Sequence, residues 1–89
     1  MKIKVYYRKN LNMSAPKLAA QVGHVVKELG RMVESNPRED VIIVLMASDK
    51  KFQEQIDNCV SEYKYLQIDL GMTEVPENTP TCFGFVMGG

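Results

Sequence analysis

Four polar residues in one stretch of the sequence have the spacing and the chemistry of a surface that binds an anion or a carbonyl group. Lys17, Gln21, His24 and Glu28 recur at intervals of four, three and four residues, so a helix would align them on one side. A cation, an amide and an imidazole in line can bind an anion or an ester carbonyl. The same spacing is also typical of a solvated helix face, and spacing alone does not separate the two interpretations.

Lys17 stands at an unusual place for a lysine. Ser14 is the predicted N-cap of the helix and Pro16 falls in its first turn, so Lys17 lies near the positive end of the macrodipole. Helix starts favour Asp or Glu at such positions. Either the residue type is unimportant here, or a positive charge is wanted at a site that is already positive.

A second group of polar residues follows a predicted strand, in "IDLGMTEVPENTPT" (68–81). Asp69 alternates with the apolar residues around it, Gly71 allows a sharp bend, and Thr73 offers a hydroxyl. Ligands bind outside the carboxyl ends of parallel strands, beside helix N-termini, so we expect Asp69 to face Lys17. The alternative is that Asp69 only caps the turn by accepting hydrogen bonds from the amides that follow it.

The hydrophobic pattern predicts the elements that must position these residues. Strands are predicted at 2–7, 41–46, 64–70 and 81–87, with helices from Ser14 to the stop signal at Asn36-Pro37 and over 48–63. The run "VIIVLM" (41–46) predicts a strand that is covered on both faces. Right-handed crossovers make the first three strands parallel, and the last strand runs antiparallel beside the third. The predicted fold class is therefore α/β, a single small domain over 1–89 with a β-α-β-α-β-β order, a mixed four-stranded sheet and helices packed on it.

Each predicted helix has one apolar face that can pack on this sheet. The first helix carries it at Leu18, Val22, Val25, Val26, Leu29, Met32 and Val33. The second helix, capped by Ser48 or Asp49, carries it at Phe52, Ile56, Cys59 and Val60.

Composition excludes several classes of protein. The chain has 89 residues, of which 45% are hydrophobic and 25% charged, which is typical of one ordered globular domain. The sequence contains no apolar run near the ~20 residues of a membrane span and no secretory signal core, so a cytoplasmic location is expected. Cys59 and Cys82 stand far apart without a metal-binding pattern, and we expect two reduced, mostly buried thiols.

The formal charge is zero but unevenly distributed. Residues 1–31 hold seven basic residues and one acidic residue, a net charge of +6, whereas residues 32–89 hold four basic and ten acidic residues, a net charge of −6. Such a division indicates either a basic surface for a polyanion or a dipole that cancels within the fold.

Two motifs together resemble the type-2 peptidyl-tRNA hydrolase family. "YYRKNLNMSAPKLAAQVGH" (6–24) is similar to the family's opening, in which a strand ends in Arg, Leu-x-Met follows, and a helix reads Lys-x-Ala-Ala-Gln-x-x-His. The stretch 68–81 is similar to the family's Asp-x-Gly-x-Thr loop, which a turn, a further Thr and the last strand follow. The positions in register are Arg8, Leu11, Met13, Lys17, Ala19, Ala20, Gln21, His24, Asp69, Gly71, Thr73 and Thr81.

The resemblance implies the family's mixed four-stranded sheet and its activity, which is cleavage of the ester between a peptide and the 3′-terminal ribose of tRNA. The implied partner is peptidyl-tRNA, no metal or organic cofactor is implied, and a homodimer is one expectation for the oligomeric state. Asp69 would orient or activate water, while Lys17 would stabilise the oxyanion or hold the terminal phosphate. The implied catalytic residues are Lys17, Asp69, Thr73, Gln21 and His24, and the implied tRNA-binding residues are Arg8, Lys9, Lys17, Lys2, Lys4 and Thr81.

The chain departs from the family pattern at three motif positions. Ser14-Ala15-Pro16-Lys17 stands in place of Gly-Lys-Gly-Lys, Asn10 in place of Asp, and Glu77-Asn78 in place of a Pro-Gly turn. The segment between the first helix and the second strand is also shorter than usual. Two alternatives therefore stay open, a non-catalytic relative that binds tRNA or a protein and a small-ligand-binding α/β module.

Overall fold

The computed structural model describes residues 1–33, 40–69, 71 and 75–88. Strands alternate with helices along the chain until the last two strands, which follow one another without a helix between them. The elements are β1 (Lys2–Arg8), a 3-10 turn (Lys9–Leu11), α1 (Ala15–Met32), β2 (Val41–Ala47), α2 (Asp49–Asn58), β3 (Lys64–Asp69) and β4 (Thr79–Val86).

The four strands form one mixed sheet in the order β2-β1-β4-β3. β1 pairs in parallel with β2 and antiparallel with β4, and β4 pairs antiparallel with β3. The first three strands therefore run in one direction and β4 in the other, which confirms the predicted fold class. The carboxyl ends of β1, β2 and β3 meet at one edge of this sheet.

Helix α1 lies on one face of the sheet, mainly over β4 and β3. Its first turn is capped by Ser14, whose Oγ accepts a hydrogen bond from the Lys17 N–H at 3.4 Å. Its apolar residues Val25 and Leu29 are fully buried in a cluster with Ile3, Val5 and Cys82. Helix α1 ends at Met32, and the expected stop at Asn36-Pro37 lies outside the described residues.

Gly84 of β4 sets how closely α1 approaches the sheet. A Cβ at this position would overlap the Val25 side chain of α1. The absent side chain therefore lets the helix lie directly on the strand, which places the polar edge of α1 against the end of β3.

Helix α2 covers the other face of the sheet and is shorter than predicted. Ser48 is its N-cap, and Phe52 packs with Tyr6, Ala47 and Phe83. The chain turns extended at its C-cap Cys59, so residues 59–63 are not helical. The prediction that Val60 belongs to the apolar face was wrong, since Val60 is 99% exposed; Cys59 is half-buried and Cys82 is buried, both as free thiols.

The prediction that β2 is covered on both faces was also wrong. β2 lies at the edge of the sheet with β1 as its neighbour, and α1 packs mainly over β4 and β3 on the other side of β1. Five of its residues are 37–57% exposed: Val41, Ile42, Val44, Leu45 and Met46.

No helix among the described residues is long and apolar enough to span a membrane.

Candidate active site

A partly buried ion pair joins the start of α1 to the end of β3. The Lys17 Nζ donates a hydrogen bond to Asp69 Oδ1 at 2.7 Å, and the two side chains are 11% and 8% exposed. The expected juxtaposition of these residues at the carboxyl edge is confirmed. The pair lies in the first turn of α1, where the helix dipole adds to the positive potential of the ammonium.

A chain of hydrogen bonds holds Asp69 from behind. Gln21 Nε2 donates to Asp69 Oδ1 at 3.4 Å, and Thr81 Oγ1 donates to Gln21 Oε1 at 2.7 Å. These two bonds set the orientation of the Gln21 amide, since its nitrogen must face the carboxylate and its oxygen the hydroxyl. Gln21 is 4% exposed and Thr81 is fully buried, so the chain runs inside the protein from β4 through α1 to β3.

The turn after β3 contributes a backbone donor to the same carboxylate. The Gly71 N–H donates to Asp69 Oδ2 at 3.0 Å. Gly71 has φ +76°, and a Cβ there would lie 2.5 Å from the Glu77 Cα, so glycine is required on both grounds. Asp69 thus makes the turn-capping contact and the contact with Lys17 at once, so its contacts are not limited to capping the turn.

The electrostatics of the site favour the ionised form of Asp69. The hydrogen bond from the Lys17 ammonium holds the pKa of the Asp69 carboxyl below its usual value of 3.8, and the Gly71 N–H acts in the same direction. Burial opposes this shift, and the nearby His24 adds a smaller electrostatic lowering of the Asp69 pKa. Asp69 is therefore a carboxylate at neutral pH and a weak base, better suited to orienting a donor than to removing a proton.

The arrangement can stabilise negative charge. An ammonium carries three N–H donors, of which the described contact with Asp69 uses one. Lys17 therefore presents a positive charge of fixed position beside a helix N-terminus, which suits a phosphate or a developing oxyanion.

The remaining predicted catalytic residues are placed differently. His24 is exposed on α1, one turn beyond the buried Gln21. The four polar residues of α1 therefore do not share one environment, because Lys17 and Gln21 face the sheet while Glu28 pairs with Arg31 at 3.3 Å. Thr73 lies outside the described residues.

Two predicted tRNA-binding residues make contacts within the protein. Arg8 donates to Asp49 Oδ1 and to the Pro80 carbonyl, both at 3.0 Å, and so ties α2 to the start of β4. This contact lowers the pKa of the Asp49 carboxyl. Thr81 has no exposed surface, so it cannot touch tRNA directly; its hydroxyl faces Gln21 instead. Sequence patterns carried no signal for this bond, since sixty positions separate the two residues.

The predicted basic surface is divided between parts of the sheet. Lys9 is exposed just after β1, at the carboxyl edge that also holds Asp69. Lys2 and Lys4 alternate with Ile3 and Val5, which pack against α1, so they lie on the α2 face of the sheet. They also belong to the amino-terminal half of β1, away from the carboxyl edge, and Lys4 Nζ lies 5.8 Å from the centroid of the Tyr6 ring.

Comparison with known families agrees with the two motifs and with the fold. A family profile described as "Peptidyl-tRNA hydrolase PTH2" matches residues 1–87 of the 89-residue chain. The chain belongs to the PTH2 family. The activity of this family is hydrolysis of peptidyl-tRNA, a reaction of translation. None of the curated proteins compared with the chain gave a match.

The turn Glu77-Asn78, which stands in place of the family's Pro-Gly, has the left-handed backbone conformation that a glycine would adopt there. Asn78 has φ 61°, in the left-handed region where Asn is tolerated better than most residues. Its N–H donates to the Asp69 carbonyl at 2.8 Å, so the turn closes directly on the candidate site. The replacement of the family's Gly by Asn78 is therefore compatible with the position of Asp69.

Proposed function

We propose that this chain hydrolyses the ester bond between the peptide and the tRNA of peptidyl-tRNA and so releases free tRNA. The observation that carries the proposal is the Lys17–Asp69 pair at 2.7 Å, partly buried at the start of α1. The PTH2 match supports the class of substrate.

The proposed reaction has water as its nucleophile. The water oxygen attacks the ester carbonyl carbon, and the carbonyl oxygen becomes an oxyanion. The bond from carbon to the ribose oxygen then breaks, one proton of the water moves to that oxygen and the other leaves to solvent, and the products are a free carboxylate and a ribose hydroxyl. The barrier is lowered by any fixed donor that meets the oxyanion.

Lys17 is the proposed donor to the oxyanion or to the terminal phosphate of the tRNA. Asp69 fixes the position of the Lys17 ammonium and orients the attacking water. Because Lys17 lowers its pKa, we assign Asp69 an orienting role in preference to complete proton removal.

The other residues have supporting roles in this proposal. Gln21 completes the hydrogen bonds of Asp69, and Thr81 positions Gln21 in place of its expected contact with tRNA. Thr73 keeps its proposed role as a hydrogen-bond donor to substrate, on the sequence motif alone. His24, which is exposed, is assigned a contact with RNA.

The tRNA is proposed to approach the carboxyl edge of the sheet. Lys9 is exposed there and Lys17 provides the charge of the site, which supports a phosphate path between them. Lys2 and Lys4 lie on the other face, so their contribution is long-range attraction. Arg8 shapes the edge through Asp49 and Pro80.

We further propose that the reaction needs no metal and takes place in the cytoplasm, where peptidyl-tRNA arises. Within the described ranges, no three His, Cys, Asp or Glu side chains are grouped so that they could hold a metal ion. Protein treated with a chelator should release tRNA as fast as untreated protein. Activity that requires an added metal would contradict this proposal. The expected homodimer stays a prediction.

The direct test is release of tRNA from a labelled peptidyl-tRNA by purified wild-type protein, Lys17→Ala and Lys27→Ala. Lys27 is an exposed lysine of the same helix and serves as the matched control. Loss of one oxyanion donor typically reduces the rate by about 10²–10³-fold, so Lys17→Ala should lose activity to that extent and Lys27→Ala should not. Equal rates for the two variants would remove Lys17 from the mechanism.

The same assay tests the non-catalytic alternative, which the departure at Ala15-Pro16 favours because both residues are exposed where the family has a lysine and a glycine. A wild-type protein that binds peptidyl-tRNA without releasing the tRNA would establish that alternative and overturn the proposed hydrolysis.

A further inference from the structure

The outer edge of β2 has the features of a strand that pairs with another strand. β2 is seven residues long, contains no charged residue, no Pro and no Gly, and no described residue pairs with its outer edge. Proteins usually protect such edges with charges, Pro, bulges or a covering segment, because the unpaired N–H and C=O groups otherwise recruit another chain.

The hydrogen bonds of β2 identify which residues present this edge. The Val41 N–H donates to the Met1 carbonyl at 2.9 Å, so the peptide groups of Val41 face β1. Peptide groups of successive residues face alternate sides of a strand. Ile42, Val44 and Met46 therefore direct their N–H and C=O groups away from β1, to the free edge.

The side chains of the same three residues form part of an exposed apolar surface. They are 46%, 41% and 57% exposed, on the face of the sheet that holds α1. Ile42 and Val44 line a groove of about 610 Å³ with apolar residues of α1. Apolar side chains therefore lie beside the free edge on the same face of the sheet as α1.

We propose that β2 pairs with β2 of a second copy of this chain, antiparallel about a two-fold axis at Val44. In this register Val44 of one copy lies opposite Val44 of the other. Ile42 of each copy lies opposite Met46 of the other. All three residues that present the edge thereby find partners, which only a register centred on Val44 achieves.

The chemistry of the edge favours a second copy over other occupants. The register joins the two sheets into one of eight strands and removes both β2 edges, so the assembly closes as a dimer. It opposes two uncharged strands and brings the two α1 grooves to the same side of the joined sheet.

The first test is the mass in solution by light scattering of wild type, Val44→Lys and Val60→Lys, with circular dichroism to verify folding. Val60 is 99% exposed in the loop after α2 and serves as the matched control. Wild type and Val60→Lys should have twice the chain mass of 10.1 kDa, and Val44→Lys should have that mass once, because it places two like charges at the axis. A monomeric wild type, or a dimer that survives Val44→Lys, would overturn the proposal.

The second test reads the register and uses a Cys59→Ser background, which removes the half-buried thiol. Across the axis two residues 44 lie with their Cα atoms about 5.5 Å apart, within the range of a disulfide. Two residues 42 would lie about 13 Å apart along the strands, beyond that range. With oxidised glutathione, Val44→Cys should form a covalent dimer and Ile42→Cys should not. Equal cross-linking of the two variants, or products larger than a dimer, would contradict the two-fold pairing. Neither test depends on hydrolytic activity.

Discussion

Replacing Thr81 by Val tests whether the buried hydrogen-bond chain positions the Asp69 carboxylate of the candidate site. Thr81 Oγ1 donates to Gln21 Oε1 at 2.7 Å, and Thr81 has no exposed surface. Val has nearly the same shape as Thr but no hydroxyl. The change therefore removes one donor from a buried site and leaves Gln21 Oε1 without that partner.

The structure sets the size of both expected effects. An unsatisfied buried acceptor costs about 1–3 kcal/mol. For a domain of this size, 1 kcal/mol corresponds to roughly 4–8 °C in the melting temperature, so a decrease of at least about 4 °C is expected. If the bond also orients Gln21 in the transition state, its net value of about 0.5–1.5 kcal/mol corresponds to a rate decrease of roughly 2- to 12-fold.

Thr81→Ser is the matched control for this change. It retains the hydroxyl and removes one buried methyl group, which costs about 1 kcal/mol of stability. Melting temperature and single-turnover hydrolysis should both be measured for each variant. We expect both variants to be destabilised, but only Thr81→Val to be slowed. In a Gln21→Leu background, Thr81→Val should cause no further decrease in rate, because Thr81 acts through Gln21.

Two results would refute this reasoning. A Thr81→Val protein with the wild-type rate would show that the bond to Gln21 does not affect catalysis. A Thr81→Ser protein as slow as Thr81→Val would show that packing, and not the hydroxyl, is what the reaction senses.

Three further predictions concern Asp69, the turn that follows it and the route of the tRNA. Asp69→Asn should reduce the rate by about 10²-fold or more. Because the folded-state pKa of Asp69 lies below its unfolded value, its stabilisation is present above the unfolded pKa and is lost as pH falls through the folded pKa. The stability of Asp69→Asn should therefore fall less than that of wild type as the pH is lowered below about 4. An equal loss of stability in the two proteins would refute the ion pair. Gly71→Ala should lower the melting temperature because φ is +76°, whereas Gly30→Ala, which has open space in α1, should raise it slightly; the reverse order would contradict the turn geometry. Lys9→Gln should reduce the slope of log tRNA affinity against log salt concentration by about 0.7–0.9, and Lys2→Gln should reduce it by less. Equal slopes for the two variants would place the tRNA elsewhere.

Sequence patterns predicted correctly the features that depend on residues close together in the chain, such as the helix N-caps. Ser14 and Ser48 accept hydrogen bonds from amides three residues ahead, and both are the N-caps that their side chains predict. The order of the elements and the directions of the strands also followed, because right-handed crossovers leave few alternatives. The error at the end of α2 has a local cause as well, since Cys59 and Val60 fit a helical period that the chain does not continue.

The exposure of β2 could not be predicted from its residues. A continuous apolar run is typical of a central strand, and its seven residues contain nothing that identifies an edge. Its exposure depends on where distant elements pack, because β4 enters the sheet on the other side of β1 and α1 lies mainly over β4 and β3. Strand order is a property of the whole topology, and hydrophobic periodicity does not record it.

The sequence by itself determined the family, through its two motifs, and the capped start of α1. It also determined that Lys17 meets Asp69, because the helix starts and strand ends of this topology share one edge. Only the tertiary structure decided that Gln21 is buried, that Thr81 holds it, and that Lys2 and Lys4 lie on the other face. Gln21 is polar by type, and its helical spacing left both a solvated helix face and a binding surface open. Its burial follows from the close approach of α1 to β4 at Gly84, where one absent side chain sets the depth of the helix and so which polar groups must satisfy one another.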